Sequence, residues 1–268
     1  MQLRLSLSDE EFERFRSYLQ DRTGINLGSN RRTLITSRLT KRLHALQIAT
    51  FGAYLDFVTS MAGRDEQQIM LDLLTTHETQ FFREIKHFDF LKTLLKPAGR
   101  GSGTIRVWSA ACSTGEEPYS IAMVLEDALG QRGWEVVGSD ISNNVLQIAR
   151  EGCYAQRLVE KIPPHFRNKY CRPLSADPDL VTMPSALKDH ITFRNINLNG
   201  DWSTLGTFDV VFLRNVMIYF DVPTKRKLVE RIFGVLRSGG HLFIGHSETL
   251  NAVSDQYNCV QPAIYRRP

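Results

Sequence analysis

Residues 104–120, TIRVWSAACSTGEEPYS, constrain the fold of this chain more than any other stretch. Ile105, Val107 and Trp108 are β-formers and open a short strand. Residues 109–115 are all small residues plus Cys112. Glu116, Glu117 and Pro118 then open a helix, with Pro118 in the first turn, where a missing N–H costs little. Ile121, Ala122, Val124, Leu125, Ala128 and Leu129 repeat at helical spacing. Strand, small-residue turn and helix make the first unit of a nucleotide-type α/β fold, because small side chains let a ligand approach the backbone. The turn lacks GxGxxG, and its helix begins with two carboxylates that repel a pyrophosphate. The same carboxylates suit a cationic ligand head. The alternative is that Glu116 and Glu117 only complement the helix dipole.

A second parallel strand, WEVVGSD, ends in Asp140, which lies 25 residues after Gly115. That is where such folds place the carboxylate that accepts ribose hydroxyls. Ser142 is positioned to cap the next helix. Across 151–190 the periodicity breaks at Pro163, Pro164, Pro173, Pro178 and Pro184, which predicts an inserted β-rich subdomain with strand-like pieces around Tyr170 and Leu180. Strands resume at 191–195 and at 208–213 (FDVVFL), the latter reading as a buried central strand. A helix over 225–237, a Ser-Gly-Gly turn, a strand over 241–245 and a hairpin over 257–267 complete the expected order. Ligands of open parallel sheets bind beyond the carboxyl ends of the strands, so Asn197, Asn215 and Tyr219 fall on the same edge as Glu117 and Asp140.

Residues 1–75 read as a small all-helical domain, with helices over 8–23, 31–46, 51–61 and 66–75 and a turn over 26–30. Ser8-Asp9-Glu10-Glu11 has the capping-box pattern. Arg31, Arg38, Lys41 and Arg42 lie on one side of the second helix, either as a solvated basic face or as a docking surface for an acidic partner helix. The segment 76–103 connects this domain to the sheet and closes in a linker over 96–103. Thr79 and Arg83 are four residues apart and would share a face if helical. Phe81 and Phe82 read as core, and Arg83 among them needs an anion, from a salt bridge or a substrate carboxylate.

The net charge of +4 is too mild to indicate nucleic acid, and the basic residues are mostly confined to one helix. The four cysteines are scattered, without CxxC or metal-ligand spacing, which predicts reduced cytoplasmic thiols and no metal. The N-terminus has no signal-peptide core, and no apolar run approaches membrane-spanning length, so no membrane insertion is expected.

TTHETQFFRE, RVWSAACSTGEEPYSIA, GSDIS, FDVVFLRNVMIYF and LRSGGHLFIGHSE occur in order along nearly the whole chain. Together they resemble the CheR family, the chemotaxis-receptor glutamate methyltransferases. The resemblance implies a Rossmann-like S-adenosylmethionine-dependent methyltransferase domain over 104–268, with the β-subdomain inserted and the all-α domain in front. It implies S-adenosylmethionine as methyl donor and S-adenosylhomocysteine as product. It places Glu117, ahead of Glu116, at the methionine end, Asp140 at the ribose, and Asn197 and Leu198 at the adenine. Arg214 and Asn215 would lie along the cofactor, with Thr79 and Arg83 reaching in from the connecting segment. His77 stands where the family usually has Asn, and imidazole likewise donates or accepts a hydrogen bond. The expected partners are the cytoplasmic methylation helices of chemoreceptors, docked at Arg38, Lys41 and Arg42, with the enzyme a monomer. Members whose β-subdomain binds a receptor C-terminal peptide tend to carry a Gly-rich turn there; RPLSADPDL has none, so no tethering is expected.

The implied chemistry assigns Arg83 and Tyr219 to catalysis: Arg83 orients the incoming carboxylate, and the Tyr219 hydroxyl holds the acceptor or the donor. Two other classes stand beside this one. A nucleic-acid methyltransferase would need a continuous basic stripe with stacking aromatics. A non-catalytic cofactor sensor would not need Arg83 and Tyr219.

Overall fold

Ser8 starts the first helix as expected: its hydroxyl accepts from the Glu11 N–H while the Glu11 carboxylate accepts from the Ser8 N–H. The computed structural model describes residues 5–28, 31–95 and 103–268. Most of the linker expected over 96–103, and Ser29 and Asn30 of the turn over 26–30, lie outside the described residues.

Four helices precede the sheet: α1 (Asp9–Thr23), α2 (Arg32–Ala45), α3 (Phe51–Thr59) and α4 (Arg64–Leu74). Gly24, at φ 78°, ends α1 in the left-handed conformation that lacks a Cβ penalty. Phe15, Ile35, Leu39, Leu43, Phe51, Tyr54 and Met70 are fully buried between these helices. One charge is buried with them. Glu66 accepts from Arg42 Nε at 2.6 Å and from the Tyr54 hydroxyl at 2.9 Å.

The connecting segment is helical only in its later part. Residues 75–84 are irregular, and helix α5 spans only Ile85–Leu94. Thr79 and Arg83 therefore do not share a helix face. Phe82 and Glu84 have positive φ, 52° and 60°, which costs free energy in non-glycine residues and needs outside support. Part of it comes from aromatic burial, as expected for Phe81 and Phe82. Phe81 meets Tyr154 edge-on and Phe82 stacks on Phe166. The Phe82 N–H donates to Ser120 Oγ at 3.0 Å.

The α/β part runs β1 (Ile105–Ala110), α6 (Glu116–Leu129), β2 (Trp134–Asp140) and α7 (Asn143–Glu151), with Ser142 capping α7. The insert follows: β3 (Cys153–Ala155), α8 (Gln156–Val159), α9 (Pro164–Tyr170), β4 (Arg172–Leu174), β5 (Asp177–Thr182) and α10 (Ser185–Lys188). It holds a three-stranded antiparallel sheet, yet it is as helical as it is β. Tyr170 ends a helix rather than sitting in a strand, because Pro164 starts that helix at a position where proline is tolerated. Then come β6 (Ile191–Asn195), β7 (Phe208–Leu213), α11 (Val222–Val235), β8 (Leu236–Ile244), β9 (Asn258–Gln261) and β10 (Ile264–Arg266). Helix α11 starts three residues ahead of expectation because the Asp221 side chain caps it and Pro223 fits its first turn. The expected Ser-Gly-Gly turn is instead part of one long β8.

The main sheet has the order β6-β2-β1-β7-β8-β10-β9, parallel from β6 to β8. The chain proceeds outward from β1 in one direction through β2 and β6, and in the other through β7 and β8. The crevice at the carboxyl ends of β1 and β7 is thus the topological switch point.

One ion cluster fixes that crevice. Arg214, just after β7, has a side chain only 2% exposed. It donates to Glu117 Oε2 at 2.7 Å and to Glu84 Oε2 at 2.9 Å, and also to the Arg83 carbonyl. Burial alone would raise the Glu84 carboxyl; the Arg214 charge and hydrogen bond, helped by the His246 N–H, bring it below its ordinary value. The stability this adds is present above the unfolded-state value, about 4.3, and is lost as pH falls through the lower folded-state value.

Two substitutions test these anchors in urea unfolding. Glu66→Ala should cost about 2–3 kcal/mol, below the figure for a fully buried pair because Arg42 keeps 32% of its side chain exposed. Arg214→Met should cost about 3–5 kcal/mol, since two nearly buried carboxylates lose their shared counter-charge. An unchanged midpoint in either would contradict the corresponding anchor.

Candidate functional site

A cavity of about 360 Å³ opens at the switch point. Four parallel strands contribute: Ala111, Cys112 and Ser113 after β1, Asp140 and Ile141 from β2, Ile196, Asn197 and Leu198 after β6, and Arg214, Asn215, Val216, Ile218, Tyr219 and Phe220 after β7. The N-terminal helical unit supplies the opposite wall through Thr23, Ile25, Asn26, Leu27, Gly28, Arg31 and Leu34. The connecting segment adds 74–80 and Arg83.

Of the two carboxylates that open α6, only Glu117 lines the cavity. It accepts from Ser109 Oγ at 2.6 Å as well as from Arg214. Glu116 is buried and accepts from Thr114 Oγ1 at 2.6 Å. Burial pushes its carboxyl up, against the Thr114 hydrogen bond. Gly115 before them has φ 97°, and a Cβ there would lie 2.8 Å from the Ala149 Cβ, so this turn requires glycine.

Asp140 is 6% exposed at the end of β2. Its oxygens accept from the Ser113 N–H at 2.9 Å and the Ser142 N–H at 3.0 Å. Burial raises its carboxyl, opposed by His77 and by those N–H groups. His77 Nδ1 lies 3.9 Å from Asp140 Oδ1, and its Nε2 is 2.7 Å from Thr75 Oγ1. Two lone pairs per carboxylate oxygen leave Asp140 able to accept further hydroxyls.

Asn197 and Leu198 reach the cavity, but the Asn197 amide is engaged. It donates to the Arg22 carbonyl at 2.6 Å and accepts from the Asn199 N–H at 2.9 Å. Asn215 lines the cavity with φ 58°, a left-handed conformation that asparagine tolerates. Tyr219 also lines the cavity, in a short 3-10 turn, Met217–Tyr219. Thr79 and Arg83 face the same space. Arg83 makes no ion pair among the described residues; its Nη1 donates to the Glu78 carbonyl at 3.0 Å. The anion expected beside it is therefore not a structural salt bridge among those residues.

Three features were not anticipated. Glu248 accepts from the N–H groups of Gly245, Asn215 and Ile218, at 2.7, 2.9 and 3.2 Å, and so shapes the loop after β7. Glu84 completes the Arg214 cluster. The connection after α1 closes the cavity: Ile25 bridges Phe220, and the Asn26 N–H donates to the Tyr219 carbonyl at 2.8 Å. Glu248 and Glu84 stand inside quoted motifs, but only the fold reveals what their carboxylates hold.

The basic side of α2 divides. Arg42 is paired with Glu66, and Arg38 donates to the Leu73 and Thr75 carbonyls and to Thr76 Oγ1. These contacts hold α2 against the end of α4, so the two arginines are partly committed within the protein. Lys41 is exposed, on an open surface shared with Arg31, Thr33, Ser37 and Arg38.

The donor set fits S-adenosylmethionine on chemical grounds. A partly buried carboxylate at one end of the cavity suits an ammonium group or sulfonium, a carboxylate with free lone pairs suits a ribose diol, and the Leu198 side is apolar. Comparison with known proteins agrees. Residues 10–75 match the CheR methyltransferase all-alpha domain, and residues 77–265 match the CheR methyltransferase SAM binding domain. The chain is 39% identical to the chemotaxis protein methyltransferase of Escherichia coli K12, covering 98% of this chain and 92% of that protein. It is 39% identical to chemotaxis protein methyltransferase 2 of Pseudomonas aeruginosa, covering 96% and 92%. With the Salmonella typhimurium chemotaxis protein methyltransferase it shares 38% identity over 99% and 92%. The chain belongs to the CheR methyltransferase family and is an S-adenosylmethionine-dependent methyltransferase of the chemotaxis type.

Proposed function

We propose that the protein methylates glutamate side chains of chemoreceptors, giving glutamyl methyl esters, and that it meets its substrate on the cytoplasmic methylation helices. The observation that carries this reading is Arg83: a guanidinium lining the cavity without a carboxylate partner among the described residues, in the same cavity as Glu117. A cation in that setting selects an anionic acceptor.

Glu117, Asp140 and the Asn197–Leu198 turn hold the methionine, ribose and adenine ends of S-adenosylmethionine, with His77 and Asn215 lining the same seat. When bound, that molecule supplies an already activated methyl group. A glutamate carboxylate is ionised at neutral pH, with a reference value of about 4.3, so the protein needs no general base. Its own residues orient and exclude water. Arg83 orients the incoming carboxylate, and the Tyr219 hydroxyl helps hold the acceptor or the methyl donor. Alignment of this kind supplies on the order of 7–11 kcal/mol. Arg83 must not bind so tightly that the nucleophile is quenched, since only binding that strengthens toward the transition state accelerates the reaction. On α2, Lys41 meets the acidic receptor helix, while Arg38 and Arg42 keep α2 itself in place and extend its positive surface.

Methyl-labelled cofactor and receptor-bearing membranes test the reaction. Base-labile release of labelled methanol is expected; label that resists base, or appears on nucleic acid, would end this reading. Arg83→Ala should lower turnover by about 100-fold while changing S-adenosylhomocysteine affinity by less than about threefold. Methylation at a near wild-type rate would exclude the role of Arg83. Asp140→Asn should weaken S-adenosylhomocysteine by about 10-fold or more in calorimetry. Because the Asp140 carboxyl is raised, wild-type affinity should begin to fall on acidification before an ordinary aspartate protonates near about 3.9, and the Asn variant should lack that step. A wild-type profile indistinguishable from that of the variant would remove Asp140 from cofactor binding.

A further inference from the structure

Behind Arg214, away from the cavity lining, three potential ligands converge. Glu84 precedes α5, His87 is in its first turn, and His246 follows β8. One ligand atom from each lies within 4.8 Å of the other two. His87 Nδ1 is 3.4 Å and His246 Nε2 is 3.8 Å from the same oxygen, Glu84 Oε2. The His87 ring is 1% exposed, and neither of its nitrogens has a hydrogen-bond partner among the described residues. An imidazole with both nitrogens unpaired in the interior is costly unless something meets it.

Bonds of about 2.0–2.1 Å in a tetrahedral centre hold neighbouring ligand atoms roughly 3.3–3.4 Å apart. Two of the separations already approach that spacing, and His246, half exposed, has room to adjust. Two imidazoles and a carboxylate suit zinc and its borderline neighbours rather than magnesium or calcium. Glu84 is oriented from outside by the Arg214 guanidinium and by the main-chain N–H of His246 at 3.2 Å, as outer partners of metal ligands commonly do. Arg214 does not exclude a cation, because Glu84 and Glu117 together carry two negative charges against its one.

We propose that Glu84, His87 and His246 form a binding site for a zinc-type divalent cation that ties the start of α5 to the end of β8. The fourth position, on the exposed side of His246, is left for water. The site lies outside the methyl-transfer machinery, and its occupancy steadies the connecting segment rather than taking part in the reaction.

The test uses the full chain after chelator treatment. Titration with Zn²⁺ should show one-to-one binding and raise the thermal midpoint with the logarithm of the free metal concentration. Co²⁺ should give the visible bands of a tetrahedral site without thiolate-to-cobalt charge transfer. His246→Gln, at an exposed position, should weaken Zn²⁺ by about 10-fold or more and abolish the midpoint rise, with S-adenosylhomocysteine binding intact as a check on folding. His87→Gln should act likewise. Absence of Zn²⁺ binding, a thiolate band from Cys153, Cys171 or Cys259, or equal affinity in His246→Gln would each overturn the site.

Discussion

A single buried guanidinium holds the catalytic end of this protein together. Arg214 leaves β7 at the switch point and is met by Glu117 from the start of α6 and Glu84 from the connecting segment. Removing two carboxylates from water is unfavourable unless a counter-charge with matching geometry awaits them. Arg214 supplies it, and the result is more than neutralisation. Glu117 is turned toward the cavity, and the strained turn at Phe82–Glu84 is pinned so that Arg83, between them, faces the same space. A site for a cationic ligand beside an anionic substrate needs both carboxylate and guanidinium groups close together without collapse into mutual salt bridges. With Arg214 committed to structure, Arg83 lines the cavity without a carboxylate partner among the described residues.

The N-terminal helices belong to that site as much as the sheet does. The turn after α1 reaches the loop after β7 through the Ile25–Phe220 bridge and the Asn26–Tyr219 hydrogen bond, so the position of Tyr219 depends on both units. Arg38 ties α2 to the carbonyls at the end of α4, directly before His77. The surface of α2 around Lys41 is therefore joined to elements that line the cavity. Gln68 adds a link by donating to the Ile141 carbonyl, next to Asp140.

Much of this was readable beforehand, for local reasons. β2 and β7 announce themselves as apolar runs, and both have the expected bounds. Ser8 and Ser142 cap where their patterns say, because capping depends on residues within one turn. Asp140, Asn197, Asn215 and Tyr219 do meet at one edge, as parallel-sheet topology requires. What failed depends on distant partners. The conformation of residues 75–84 was left open by their sequence, because it is set by burial of Phe81 and Phe82 against the insert and by the Arg214–Glu84 ion pair. The structural commitments of Arg38 and Arg42 needed Glu66 and the end of α4 to be brought beside them. Glu248 reads as a surface acid until the loop after β7 folds back onto it, where burial raises its carboxyl against three N–H donors.

The central claim is that S-adenosylmethionine sits between the strand ends and the N-terminal unit, in the cavity that Arg214 organises. Amide hydrogen exchange with and without S-adenosylhomocysteine measures this most directly. Protection is expected together in three places: the backbone around 111–113 and 140–142, the loop over 214–220, and the facing segments 23–28 and 75–83. Tight binding with protection confined to the sheet side, or with none around 111–113 and 140–142, would contradict the account.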